Sequence, residues 1–134
     1  MTTNGIKEIV LRYVDAFNRG DVDAVCACFA PGAVVQGVLG WGEIPQVRPI
    51  WEMLVTSFQM RLQIEAIVAE ERMVAVRYTE RGAFAGPFRE HAPTGKQYEV
   101  VAMEWFQVGE GGIERRWGAR DSAAIFRQVG IPVG

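Results

Sequence analysis

Between Phe58 and Leu62 the hydrophobic period of this chain changes from helical to extended, and that change limits what it can fold into. Before it, apolar residues recur at helical spacing in three segments. Ile6, Ile9, Val10, Val14 and Phe17 form the first, with Thr3 or Asn4 as N-cap and Gly20 as a left-handed stop. Asp21 caps a second, shorter helix carrying Val22, Val25, Cys28 and Phe29, which Pro31-Gly32 ends. Ala33 to Val38 reads as a strand, followed by a loop with glycines at 37, 40 and 42 around Trp41. A third helix starts near Pro45 and carries Val47, Ile50, Trp51, Leu54, Val55 and Phe58.

After the change, Leu62, Ile64, Ala66 and Val68 alternate, and Glu70-Glu71-Arg72 reads as a hairpin turn. Met73 to Phe84 and Gln97 to Val108 are long strands separated by the loop G-P-F-R-E-H-A-P-T-G. Gly109-Glu110-Gly111-Gly112 turns the chain into a last strand, Ile113 to Arg120, and Ser122 caps a short final helix stopped by Gly130. Helices segregated from a meander of strands predict an α+β fold, a curved antiparallel sheet wrapped round N-terminal helices as a cone. Such a cone has a cavity at its wide end, where small ligands bind. At 134 residues the chain is expected to be one domain spanning 1–134.

Charge narrows the partners. Fourteen basic and 16 acidic side chains give a formal charge of −2, with no footprint for nucleic acid or an anionic membrane. A small neutral ligand fits this balance, and the expected partner is a hydrophobic small-molecule substrate. The N-terminus lacks a basic and apolar leader, and no run approaches the roughly 18 apolar residues of a membrane span. Cys26 and Cys28, without a second pair, form neither a zinc site nor a disulfide framework. The expectation is a cytoplasmic protein with reduced thiols, no metal and no cofactor. Phosphate-binding and dinucleotide glycine motifs are absent, as is G-x-S-x-G.

The element order, with Y-V-D-A-F-N-R-G-D-V-D-A-V near the start and G-G-I-E-R-R-W-G-A-R-D-S-A-A-I-F-R-Q-V-G at the end, resembles the nuclear-transport-factor-two-like superfamily. Within it the whole chain looks most like SnoaL-like polyketide cyclases and their hydroxylase-like relatives, and P-T-G-K-Q-Y-E before the penultimate strand adds to the likeness. The resemblance implies an acid–base aspartate at the end of the last strand, where Asp121 stands. Those cyclases often pair it with a histidine on the penultimate strand. Here Glu104 holds that strand position, and the single histidine, His91, lies in the preceding loop. Limonene-epoxide hydrolase is a second relative, whose site resembles an Asp–Arg–Asp arrangement. Arg81 stands for its arginine and Asp121 for one aspartate, while the other position falls near Ala83, which carries no acid, so that Glu104 or Glu80 would have to substitute.

Strand parity gives each candidate a face. Trp117, Ala119 and Asp121 project together, and Arg116 with Arg120 oppose them. The sequence reading gives the pocket to Trp117 and Asp121 and the outer face to the two arginines. An aspartate against apolar walls loses hydration and becomes a better proton shuttle; the competing role for Asp121 is to cap the final helix. Glu104, inside the apolar run V-V-A-M-E-W-F, either faces a pocket or pairs with Arg81 or Arg116. Arg81 is a candidate for orienting a carboxylate or an enolate oxyanion. Tyr78 and Tyr98 are candidate donors to a carbonyl, and Trp41, Trp51, Phe58 and Trp117 are candidate substrate walls. Trp105 and Phe106 project to opposite sides of one strand, so both sheet faces need cover and a homodimer through the sheet is expected. The resemblance implies a ring-closing aldol reaction on a hydrophobic, polycyclic carbonyl compound. Epoxide hydrolysis, or a hydroxylase component or ligand-binding protein of the same fold, are the alternatives.

Overall fold

The computed structural model describes residues 1–37 and 40–133. Helix α1 (Thr3–Asn18) is capped by Thr2, whose hydroxyl accepts from Gly5 N at 2.9 Å, and buries Ile6, Val10, Tyr13, Val14 and Phe17 along one stripe. Asp21 caps α2 (Val22–Ala27) through Ala24 N. Strand β1 (Phe29–Gly37) starts earlier than expected and runs through Pro31-Gly32, where its register against its neighbour shifts. The expected strand end, Val38, lies outside the described residues. The glycine-rich segment expected as a loop forms a further strand, β2 (Gly40–Glu43), hairpinned on β1. A capping box between Glu43 and Gln46 then starts α3 (Ile44–Thr56).

Four strands follow: β3 (Arg61–Glu70), β4 (Met73–Ala83), β5 (Gln97–Gly109) and β6 (Gly112–Arg120), then α4 (Ser122–Val129). They form one six-stranded sheet in the order β2-β1-β6-β5-β4-β3. The α+β architecture is as the sequence implies, with one correction: β1 lies parallel to β6, so the sheet is mixed. Gly112 permits that pairing. Its φ is +121°, and a Cβ there would sit 2.8 Å from the Cys28 carbonyl where β1 begins.

On β4 and β5 every even-numbered residue from Val74 to Glu80 and from Tyr98 to Val108 faces the helices. Two β-bulges break the simple alternation elsewhere. On β3 the register shifts between Ile64 and Ala66, so Ile67 and Ala69 face the core while Val68 is left 62% exposed. On β6 the shift falls at Glu114: Ile113 pairs with Val108, but Arg115 pairs with Gln107. The extra residue flips every later side chain to the other face of the sheet.

The core has two parts. The larger lies under α1, α2 and α3 and includes Tyr13, Phe17, Trp51 and Phe106; the smaller lies under α4 and includes Phe58, Phe84, Tyr98 and Ile125. The convex face of the sheet is uncovered, with Val101, Met103 and Trp105 each about half exposed.

Candidate functional site

A cavity of about 120 Å³ lies between the concave face of the sheet and α1 and α3. Its apolar wall comes from Phe17, Val47, Trp51, Leu54, Met60 and Leu62. Its polar wall is made by six side chains: Tyr13, Tyr78, Glu80, Glu104, Arg116 and Arg120. Cross-strand pairing assembles them. Phe106 sits opposite Arg116, Glu104 opposite Gly118, and Ala102 opposite Arg120, all on the inner face. Tyr78 and Glu80 stand two residues apart on the neighbouring strand.

Glu104 is held by three donors. Arg116 Nη1 donates to Oε2 at 2.7 Å, Tyr13 Oη to the same oxygen at 2.9 Å, and Tyr78 Oη to Oε1 at 2.9 Å. A carboxylate in an apolar strand must be paired and hydrogen-bonded to remain there, and these bonds meet that need. Gly118 makes the pair possible, because a Cβ on it would collide with Arg116 Nη1. Burial and the neighbouring Glu104 charge push both the Tyr13 and Tyr78 phenols up, so they stay neutral donors.

Glu80 forms a second pair. Its Oε2 accepts from Arg120 Nη2 at 2.6 Å and from Tyr98 Oη at 2.7 Å. Its Oε1 accepts no hydrogen bond from the described residues. Glu80 is 1% exposed, and burial pushes its carboxyl above the usual carboxylate range; Arg120 and Tyr98 offset this only in part, and Glu104 adds to it. Tyr98 is pushed up in turn, by burial and then by Glu80.

The structure distributes the expected residues as follows. Glu104 and Tyr78 meet in the cavity, with Trp51 in its wall. Tyr98 reaches the site through Glu80. Phe58 is buried in the smaller core, stacked on Phe84 at 5.1 Å. Arg81 is exposed and paired with Glu99 Oε1 at 2.6 Å. Asp121 is exposed and caps α4, its Oδ1 accepting from Ala124 N at 2.9 Å. It is absent from the described cavity lining, and the structure does not bring it to Glu104.

Trp41 and Trp117 do not wall the cavity either. Arg115 lies against both rings, 4.6 and 5.0 Å from their centroids, and Trp41 is 51% exposed. The two arginines assigned to the outer face, Arg116 and Arg120, face inward. The division of the strand into 116/118/120 and 117/119/121 is as parity requires, and the bulge at Glu114 reverses which set is inside.

Sequence reasoning left out Tyr13 and Arg120, named Glu80 only as a stand-in acid and named Arg116 as a partner for Glu104, the pair the structure contains. Glu80 had a signal, since it continues the inward series Val74, Val76, Tyr78. Tyr13 likewise shares the buried stripe of α1. The inward direction of the arginines had none without the bulge. Among the described residues no three His, Cys, Asp or Glu side chains gather where they could hold a metal ion. No helix among them is long and apolar enough to cross a membrane.

Solved structures share this architecture. AclR from Streptomyces galilaeus, described as a candidate hydroxylase, aligns with a TM-score of 0.88 at 22% identity over 99% of this chain and 86% of its own. IdmH from Streptomyces antibioticus, described as a candidate polyketide cyclase, aligns at 0.80 and 23% identity over 93% and 98%. An epoxide hydrolase of the limonene-epoxide-hydrolase-like type from M. tuberculosis aligns at 0.75 and 17% identity over 95% and 90%. At these identities the likeness is one of fold. No curated protein matches the sequence. The model of the SnoaL-like domain matches residues 10–116, most of the chain, and includes four of the six polar cavity residues outright with Arg116 at its edge. The fold, the cone and this match agree, and the chain belongs to the SnoaL-like domain family.

Proposed function

We propose that the protein is an acid–base enzyme that removes and returns a proton at the carbon between two carbonyl groups, the step that opens an intramolecular aldol cyclisation of the SnoaL-like cyclase type. The observation that supports this reading is Glu80: a nearly fully buried carboxyl with a raised pKa and one oxygen that accepts no hydrogen bond from the described residues, in a cavity whose opposite wall is apolar. Such a carboxyl is matched to carbon acids better than an exposed one. Glu80 takes the carbon's proton and becomes neutral, leaving an enolate. Arg120, which among the described residues donates only through Nη2, to Glu80, has Nη1 for the enolate oxygen. The enolate carbon then forms its bond to a second carbonyl carbon, and the resulting alkoxide takes the proton back from Glu80. No cofactor enters this sequence.

Size bears on the substrate. A dry cavity of about 150 Å³ accepts benzene, so the cavity of about 120 Å³ suits the reacting chain end of a compound, and the rings of a polycyclic substrate would extend through the mouth. The uncovered convex face supports a second copy of the chain as the partner of the sheet.

A second reading, water addition to an epoxide, is favoured by one observation: two carboxylates, Glu80 and Glu104, share the cavity wall. One would activate water while the other, protonated, served the epoxide oxygen. Oxygen-18 from water in the product would mark it. The first reading is tested by following exchange of the acetoacetate methylene protons into deuterium oxide by NMR. The native protein is expected to accelerate exchange, and Glu80→Gln to lower that acceleration by about a hundredfold or more. Equal exchange by the two proteins would refute the assignment.

A further inference from the structure

Arg116 has more donors than Glu104 uses. Its side chain is 9% exposed and, among the described residues, donates only through Nη1. Nε is buried with no partner, and Nη2 makes no hydrogen bond to the described residues. In a guanidinium, Nε–H and the far Nη–H point the same way, along the edge that grips two oxygens of one planar anion. Here that edge is unengaged, in a position where an unsatisfied donor is costly. Nη2 points toward Gly37, which also lines the cavity. A Cβ at 37 would sit 3.8 Å from it, in ordinary van der Waals contact, so glycine leaves more room beside Nη2 than a larger residue would.

The other end of the guanidinium is fixed. Glu104 is tied by Tyr13 and Tyr78 as well as by Arg116, and Phe106 lies beside the arginine on the neighbouring strand. The fork is therefore held in place before any ligand arrives, so little of the binding free energy is lost to ordering it. Charge favours an anion too. The polar wall holds two guanidiniums against the carboxyls of Glu104 and Glu80, so it carries no net negative charge even with both ionised. One negative group can be added without leaving the cavity strongly negative.

We propose that the Nε/Nη2 edge of Arg116 is the anchoring subsite for a planar two-oxygen anion, so that the substrate carries a carboxylate beside its reacting carbon, as a β-keto carboxylate does, gripped through both oxygens. This rests on the proposed proton transfer for the identity of the reacting carbon, and adds to it what holds that carbon in place. Arg116 is on this account a binding residue, and Arg120 serves the oxygen that gains charge.

The probes are acetoacetate and acetoacetamide, which have nearly the same shape and differ in charge. Calorimetric titration of the native protein is expected to give acetoacetate at least about tenfold tighter binding than the amide, the size of effect a charge-assisted pair supplies. The Arg116 Nε–H resonance, assigned in ¹⁵N-labelled protein, is expected to move on adding acetoacetate. Arg116→Lys keeps the charge but loses the fork, and is expected to weaken acetoacetate about tenfold. Where that variant does not fold, the Nε resonance of the native protein decides. Equal affinity for the two probes, no binding of either, or an unmoved Nε resonance overturns the proposal. Binding at Arg116 without methylene exchange would instead overturn the proton-transfer reading, and exchange with an unmoved resonance would leave that reading standing and remove this one.

Discussion

Glu80 and Asp121 show how differently two carboxyl groups of one chain can be used. Glu80 is 1% exposed, so burial favours its neutral form and makes its carboxylate a better acceptor of a proton from carbon. Asp121 is exposed and keeps an oxygen on the first turn of α4. Asp121→Ala is accordingly expected to cost about 1 kcal/mol of stability, as loss of an N-cap does, with methylene exchange unchanged. Chemical denaturation and the exchange assay measure the two effects separately, and a collapse of exchange in a folded Asp121→Ala protein would return the aspartate to the chemistry.

The short strand β6 sets the site through one absent side chain and one extra residue. Gly118 leaves room for the Arg116 guanidinium to reach Glu104, so Gly118→Ala is expected to displace it and cost about 1–3 kcal/mol, as overpacking of a filled interior does. Denaturant midpoints would register the loss. Gly118→Ala with native stability would mean that the arginine has room elsewhere. The extra residue is Glu114. The helices, the hairpins and the long strands β4 and β5 are legible in the sequence because each keeps a constant period. A bulge has no such signature: from Ile113 inward, unbroken alternation carries Trp117 and Asp121 into the cone, and those residues look the part. The real strand buries arginines instead, which is affordable only because glutamates on β4 and β5 lie opposite them. That pairing joins residues 12 and 40 positions apart, and hydropathy along the chain does not record it. The β3 bulge hides Val68 the other way, as an apolar residue sent outward.

At the scale of the whole molecule, the concave face is filled by helices and the convex face is not. Val101, Met103 and Trp105 form an exposed apolar strip on β5, and the proposed cover is a second copy. Sedimentation is expected to show a dimer for the native protein and a monomer for Trp105→Glu; a native monomer would contradict this. Stability should also carry the mark of the buried acid. Folding raises the Glu80 pKa, so its contribution is full in acid, below the carboxyl's unfolded value, and is lost as pH rises through the higher folded value. The stability of the native protein relative to Glu80→Gln is therefore expected to fall across that window. The account turns on the identity of Glu80 as the proton carrier, and the titration of its carboxyl by ¹³C NMR, followed in parallel with the rate of acetoacetate exchange, tests it most directly. The account predicts one shared midpoint above the ordinary carboxylate range, with the rate rising as Glu80 loses its proton. A rate that stays level while Glu80 titrates, or that follows a different midpoint, would contradict it.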